Sequence, residues 1–188
     1  MLPYRLVPMV ALILIATHAQ AVEYGKVLPE QSRITFTSKQ MGAAMDGQFD
    51  KFTADVSFDP ARPEAGRALI EVQVASVDAG NRDANDEVKS KGWFNVREFP
   101  TANFVADAGG VRSLGDNRFE ARGKMSIKGK TRDVVVPFQY KADGANAVLE
   151  GSIPIQRTQY GIGAGAWADT SVVADEVPIK FRLIVAPK

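Results

Sequence analysis

From Ser32 almost to the C terminus, apolar and polar residues alternate with a period of two. That is the pattern of strands that bury one face and wet the other. Residues 32–40 turn Ile34 and Phe36 inward. Residues 51–58 place Phe52, Ala54, Val56 and Phe58 on one face, and residues 67–77 do the same with Ile70, Val72 and Val74. Ala102, Phe104 and Ala106 follow, then Phe119, Ala121, Gly123, Met125 and Ile127. Val134, Val136, Phe138 and Tyr140 form the next set. Ala147, Leu149, Gly151, Ile153 and Ile155 come after it, and Val177, Ile179, Phe181, Leu183 and Val185 close the series. These are eight strands, with a further short one near Gly25–Leu28 or Phe49.

The links between the runs are short. Asp143-Gly144 and Gly129 suit tight hairpins, because such residues tolerate positive φ, and Gly115-Asp116-Asn117 reads as a longer hairpin loop. Short links join antiparallel neighbours. One stretch departs from the period of two: Asn81 to Lys91 is polar and poor in β-branched residues. With Asn81 as cap and Ala84 and Val88 four apart on one face, it predicts a single short helix. Trp93, Phe94 and Phe99 follow at once.

Such strands form either a sandwich or a closed barrel, and a barrel removes the exposed edges a sandwich must protect. The expected fold is all-β with one short helix, a sandwich or, with its edges removed, an antiparallel barrel of about eight strands. A barrel of that size is filled by side chains or holds one small ligand. The small inward residues Ala121, Gly123, Ala147 and Gly151 either leave room inside or let the strands bend. Mid-strand residues on the opposite face include Arg33, Asp55, Glu71, Lys124, Asp133, Lys180 and Arg182. Charges at those positions cost about 2–4 kcal/mol per Arg or Lys against lipid, so the outer wall is built for water.

The first residues read differently. Arg5 precedes an apolar run from Leu6 to Ala16, and Ala19-Gln20-Ala21 offers small residues for cleavage. This is the layout of a secretory signal peptide over residues 1–21. Residues 22–188 are then a single exported domain, with no membrane-spanning segment. The formal net charge of the whole chain is +1 and Arg5 carries the excess, so net charge offers no reason for nucleic acid as a partner.

The chemistry is thin. There is no Cys, and the one His, His18, lies in the leader. Histidine and cysteine carry most acid–base and nucleophilic schemes and the usual structural zinc sites. No enzyme activity, metal or other cofactor is therefore expected. Asp83, Asp86 and Glu87 cluster on the predicted helix beside Arg82, Lys89 and Lys91, and read as a solvated face. Gly161-Ile162-Gly163-Ala164-Gly165-Ala166 lacks the Lys-Ser/Thr of a phosphate-binding loop. It reads as a bent loop whose flanks, Tyr160 and Trp167, close one end of the barrel.

Taken in order, several segments resemble one family. They are S-R-I-T-F at 32–36, G-Q-F-D-K-F at 47–52, D-A-G-N-R-D-A-N-D-E-V-K-S-K-G-W-F at 78–94 and E-F-P-T-A-N-F at 98–104. G-K-M-S-I-K-G-K-T-R-D-V at 123–134, R-T-Q-Y-G-I-G at 157–163 and D-E-V-P-I at 175–179 complete the set. The pattern resembles the YceI-like family of periplasmic polyisoprenoid-binding, lipocalin-like proteins. The resemblance implies an eight-stranded antiparallel, lipocalin-like barrel with one short helix near its opening, a long apolar pocket inside it for an isoprenoid, quinone or fatty chain, and a carrying or sequestering role without catalysis. It brings no catalytic residues with it.

Candidate ligand-wall residues are Phe36, Phe49, Val72, Val74, Phe104, Phe119, Met125, Phe138, Ile162 and Phe181. Trp93, Phe94, Phe99, Tyr160 and Trp167, beside the helix and the glycine loop, lean most towards the pocket. Each has plain core packing as its alternative reading. Arg82 and Arg157 are the candidates for a polar or phosphate head group. The competing reading of the whole chain is a solidly packed barrel that binds a partner protein through its loops. A homodimer stays open, since an unpaired edge or an exposed helix supports one.

Overall fold

A computed structural model describes residues 22–188, so the expected signal peptide lies outside the described residues. Twelve strands form one antiparallel sheet. They are β1 (Tyr24–Val27), β2 (Arg33–Gln40), β3 (Ala43–Phe49), β4 (Phe52–Ser57), β5 (Arg67–Gln73) and β6 (Val77–Asp78). After helix α1 (Arg82–Lys89) come β7 (Thr101–Ala106), β8 (Val111–Gly115), β9 (Arg118–Ile127), β10 (Lys130–Asp143), β11 (Asn146–Gln156) and β12 (Glu176–Pro187). The eight expected strands are β2, β4, β5, β7 and β9 to β12. The count rises to twelve because β1, β3, β6 and β8 are short or mostly exposed, and so carry little of the apolar alternation.

The sheet curls because β12 has two partners. Its first half pairs with β2, from Ile179↔Phe36 to Arg182↔Arg33. Its second half pairs with β1, where Val27 meets Val185. Strand β1 in turn meets β4 through reciprocal hydrogen bonds of Tyr24 and Phe58, at 2.8 and 2.9 Å. At that end the order β4-β5-β7-β9-β10-β11-β12 therefore closes on itself through β1. At the other end the sheet continues through β2 and β3 to the two-residue strand β6, which leads into α1.

The hairpins use the expected residues. Lys128 and Gly129 both take positive φ between β9 and β10, as do Gly115, Asp116 and Asn117 between β8 and β9. Asn81 accepts a hydrogen bond from the Ala84 amide at 2.9 Å and starts α1, one residue after the predicted start and two short of the predicted end.

Inside, two apolar clusters stack along the barrel. The first, around Tyr24, Phe58, Phe119, Phe138 and Val185, fills the β1-closed end. Phe58 packs edge-on against Phe119 and Phe138, with ring centroids 5.1 and 5.5 Å apart, a favoured aromatic geometry. The second, around Met125, Val136, Ile153, Ile155 and Tyr160, lines the other half.

The inward glycines settle the question of room against bending. Gly47 faces Phe36 across β2 and β3, and Gly151 faces Phe181 across β11 and β12. In each pair the phenylalanine ring occupies the space a Cβ would need. A methyl on Gly151 would sit 2.8 Å from the Phe181 ring and collide with the Pro137 carbonyl oxygen. Gly123 is covered in the same way by Phe104. Cross-strand aromatic–glycine pairing is a known way to protect a glycine in a sheet. Here it lays three rings along the inner wall.

Two outcomes follow. Gly151→Val forces Phe181 off its seat and is expected to cost about 1–3 kcal/mol, the range for overpacking a core. A lower urea midpoint with an unchanged slope would register it. The second concerns Tyr140. Burial, and then the hydrogen bond to Tyr24 at 3.2 Å, push its phenol up from 10.0 to about 12. The folded state thus holds that proton more tightly than the unfolded chain does. The contribution is complete below pH 10 and is lost between pH 10 and about 12. Alkaline unfolding of Tyr140→Phe should lack that component of the pH dependence.

Candidate functional site

Between the two clusters and the α1 end lies a cavity of about 580 Å³, within the range typical of small-molecule sites. Its wall is the inward face of the barrel: Ile34 and Phe36 from β2, Ala68, Ile70 and Val72 from β5, and Phe104 from β7. Met125, Val136, Phe138, Ile153, Ile155, Ile179 and Phe181 continue it around β9 to β12. Phe58 lies at the β1-closed end. At the other end the cavity meets Asp83, Ala84, Glu87 and Val88 of α1, then Trp93 and Phe94, and Ile162, Trp167 and Val173 of the segment before β12. A second depression, about 740 Å³, is an open groove on the outer wall between Arg33, Arg118, Lys180 and Arg182. Its size comes from open solvent between charged side chains, so the interior cavity is the apolar site.

Of the expected wall residues, Phe36, Phe49, Val72, Trp93, Phe94, Phe104, Met125, Phe138, Ile162, Trp167 and Phe181 border this cavity. Four stand apart from it. Phe119 stacks on Phe138 in the closed-end cluster. Val74 is buried in a one-turn 3₁₀ segment after β5. Phe99 packs over Gly129. Tyr160 is buried in the second cluster, with the Arg132 guanidinium 5.9 Å from its ring centre. Alternation along a strand tells inside from outside. It does not tell depth along the barrel, which is where Phe119 differs; Val74, Phe99 and Tyr160 lie in 3₁₀ or loop segments, where alternation does not apply. The wall residues not foreseen include Ser38 and Gln40, which continue the inward parity of Ile34 and Phe36. Val173 lies in a segment with no period to read.

The α1 end is held by an arginine. Arg157 is only 1% exposed, and its guanidinium donates five hydrogen bonds, all to backbone carbonyls. Nε reaches Ala174 at 3.1 Å. One terminal nitrogen reaches Ile162 at 2.9 Å and Gly163 at 3.0 Å, and the other reaches Trp167 at 2.9 Å and Val173 at 2.7 Å. A guanidinium has five N–H groups, so the set is fully used. Burial lowers its pKa, with Asp175 opposing the shift. Arg157 is therefore the organiser of residues 162–174, with no N–H left for a ligand head group. Arg82, the other head-group candidate, is 92% exposed on its side chain and lies 3.8 Å from Asp86, outside the cavity wall.

Other contacts tie this loop to its neighbours. Gly161, Gly163 and Gly165 take positive φ, which lets the chain present its carbonyls to Arg157. Lys128 donates to the carbonyl of Gly161 at 2.7 Å and to that of Lys91 at 3.2 Å. The Ala164 amide bonds the Gly92 carbonyl at 2.8 Å. Trp167 donates its indole N–H to Glu87 at 2.7 Å, joining the loop to α1. Trp93 packs between Trp167, 5.9 Å away, and the Arg157 guanidinium, 6.0 Å away. Its own indole N–H is enclosed without a partner among the described residues. Such an orphan donor costs about 1–3 kcal/mol.

Among the described residues there is no group of three or more His, Cys, Asp or Glu placed to hold a metal ion, and no helix long and apolar enough to cross a membrane. Arg157→Met leaves five backbone carbonyls, three of them fully buried, without the arginine's donors. It is expected to lower stability by at least about 3 kcal/mol, the cost of several unmade hydrogen bonds to a charged group. Arg157→Lys should not restore it, because an ammonium lacks the planar fork. Thermal unfolding of the three proteins checks both statements.

The comparisons with known proteins agree with this architecture. Residues 26–185 match the model of the YceI-like domain. The crystal structure of BcnA from Burkholderia cenocepacia superposes with a TM-score of 0.81 at 42% identity, over 85% of this chain and 99% of that one. A polyisoprenoid binding domain from Saccharophagus degradans, implicated in plant cell wall breakdown, aligns with a TM-score of 0.64 at 15% identity, over 90% and 100% of the two chains. A UPF0312 protein of Azotobacter vinelandii is 29% identical over 157 residues, 78% of this chain and 80% of its own. With its curled antiparallel sheet, one α-helix among the described residues and a family match running almost from β1 to the end of β12, this chain belongs to the YceI-like family.

Proposed function

We propose that the protein binds and carries, or sequesters, one amphiphile with a long apolar chain (an isoprenoid, quinone or fatty chain) inside the barrel, without chemical conversion. The observation that carries this reading is the cavity of about 580 Å³ enclosed by inward apolar side chains of the strands. Burial of apolar surface contributes about 25 cal/mol per Å², so several isoprene units removed from water suffice for tight binding without any charged contact. The similarity to a domain described as polyisoprenoid binding supports the same class of ligand. We place the work in the periplasm, on the strength of the leader-like residues 1–21. We read entry as occurring between α1 and the 161–168 loop, the end where polar groups and irregular backbone meet the cavity.

The competing reading, a solidly packed barrel with a protein partner, has the open lumen against it. The two are separated by purifying the exported protein without detergent, extracting it with organic solvent and analysing the extract by mass spectrometry. A stoichiometric amphiphile is expected, and its repeated absence together with no uptake of an apolar fluorescent probe would sink the carrier reading. Phe94→Asp puts a charge into the wall where Phe94 meets Phe49 edge-on, 6.3 Å between centroids. It should abolish probe retention while the far-UV spectrum remains that of a folded β protein.

A further inference from the structure

The carrier reading leaves open which end group the ligand bears, and the polar positions around the lumen address it. Ser57, Arg67 and Asn103 border it along β4, β5 and β7, and the rest stand at the α1 end beside Asp46, which accepts from Thr37. The inward parity of β2 runs Ile34, Phe36, Ser38, Gln40. Gln40 is partly buried, and its side-chain amide has no hydrogen-bond partner among the described residues. Its backbone pairs with Val173, the residue whose carbonyl Arg157 holds at 2.7 Å. Ser38 makes only a long contact, 3.4 Å, to the Met45 carbonyl. On α1, Asp83 and Glu87 border the same cavity, four residues apart and so on one helix face.

Among the described residues, no free cation stands at the α1 end. Arg157 has spent every N–H on carbonyls. Arg82 stands out in solvent beside Asp86. Arg67 starts β5, where Ala68, Ile70 and Val72 turn inward. It shares the parity of Leu69 and Glu71 and borders the cavity only beside Ser57 and Phe58, at the end away from α1. A phosphate or carboxylate at the α1 end would lose water, meet no free cation and face two carboxylates. An alcohol or carbonyl would meet an unpaired amide and a hydroxyl, groups able both to donate and to accept.

We propose that the ligand's head group is uncharged and hydrogen-bonding, an alcohol, ester or ring carbonyl, and that Gln40 and Ser38 receive it. This rests on the carrier reading and adds the chemistry of the head. It also gives the two residues a role that packing alone would not require.

The test uses the delipidated chain spanning residues 22–188 and probes that share one prenyl chain: the plain hydrocarbon, the alcohol, the monophosphate and the amine. Affinities come from displacement of an apolar fluorescent probe at neutral pH. The alcohol is expected to bind at least tenfold tighter than the monophosphate and several-fold tighter than the hydrocarbon. Gln40→Leu, and independently Ser38→Ala, should bring the alcohol down towards the hydrocarbon while leaving the hydrocarbon unchanged. That unchanged value also certifies that each variant is folded. A monophosphate or amine that equals or exceeds the alcohol overturns the proposal, as does an alcohol preference that survives both substitutions. If none of the four probes binds, it is the carrier reading that fails.

Discussion

A buried guanidinium whose hydrogen bonds all go to backbone carbonyls, none to a carboxylate, is the constraint on which the ligand end of this barrel depends. Removing a charge from water is costly unless every donor is satisfied, and Arg157 meets that demand with carbonyls alone. Those carbonyls come from residues 162 to 174, a stretch with no strand or α-helix to fix it. The arginine thus turns an irregular segment into a rigid wall. Glycines at 161, 163 and 165 are what allow the backbone to converge on one side chain. Trp167 then extends the wall to α1 through Glu87, and Trp93 is trapped behind it. Helix, loop and barrel rim behave as one assembly because one cation holds them.

The other end obeys a simpler logic. Strand β12 is long enough to serve β2 with one half and β1 with the other, and β1 carries the ring across to β4. The aromatic cluster around Phe58 then plugs the closed end. A lumen remains between a plugged base and a braced rim, and apolar side chains from nearly every strand face it.

Much of this was legible in the amino-acid pattern. The eight long strands, the hairpins at Gly129 and Asp143-Gly144, and the Asn81-capped helix each have a local physical signal. The structure bears out all of them. Strand β3 was not legible as a full strand, because Ala43-Ala44-Met45-Asp46-Gly47-Gln48 shows solvent a mixed face and gains its order from β2. On the strands the wall was legible in parity but not in depth, so Phe119 could not be told from Phe138; Tyr160 and Ile162 lie off the strands, where there is no parity to read. Arg157 was illegible in its role. An arginine before a glycine-rich stretch looks like a solvated residue. Nothing in local spacing says that carbonyls up to 17 residues away will enclose it.

The phenylalanines seated on Gly47, Gly123 and Gly151 have a final consequence. A ring pressed against its neighbour strand offers a broad face and no protruding knob. Phe36, Phe104 and Phe181 thus pave three sectors of the bore. An oily chain displaced along such paving by one repeat unit touches much the same surface as before. The tube itself is then a poor ruler: cargoes of different length fit it with similar ease, and their sorting falls to the few polar atoms at the rim.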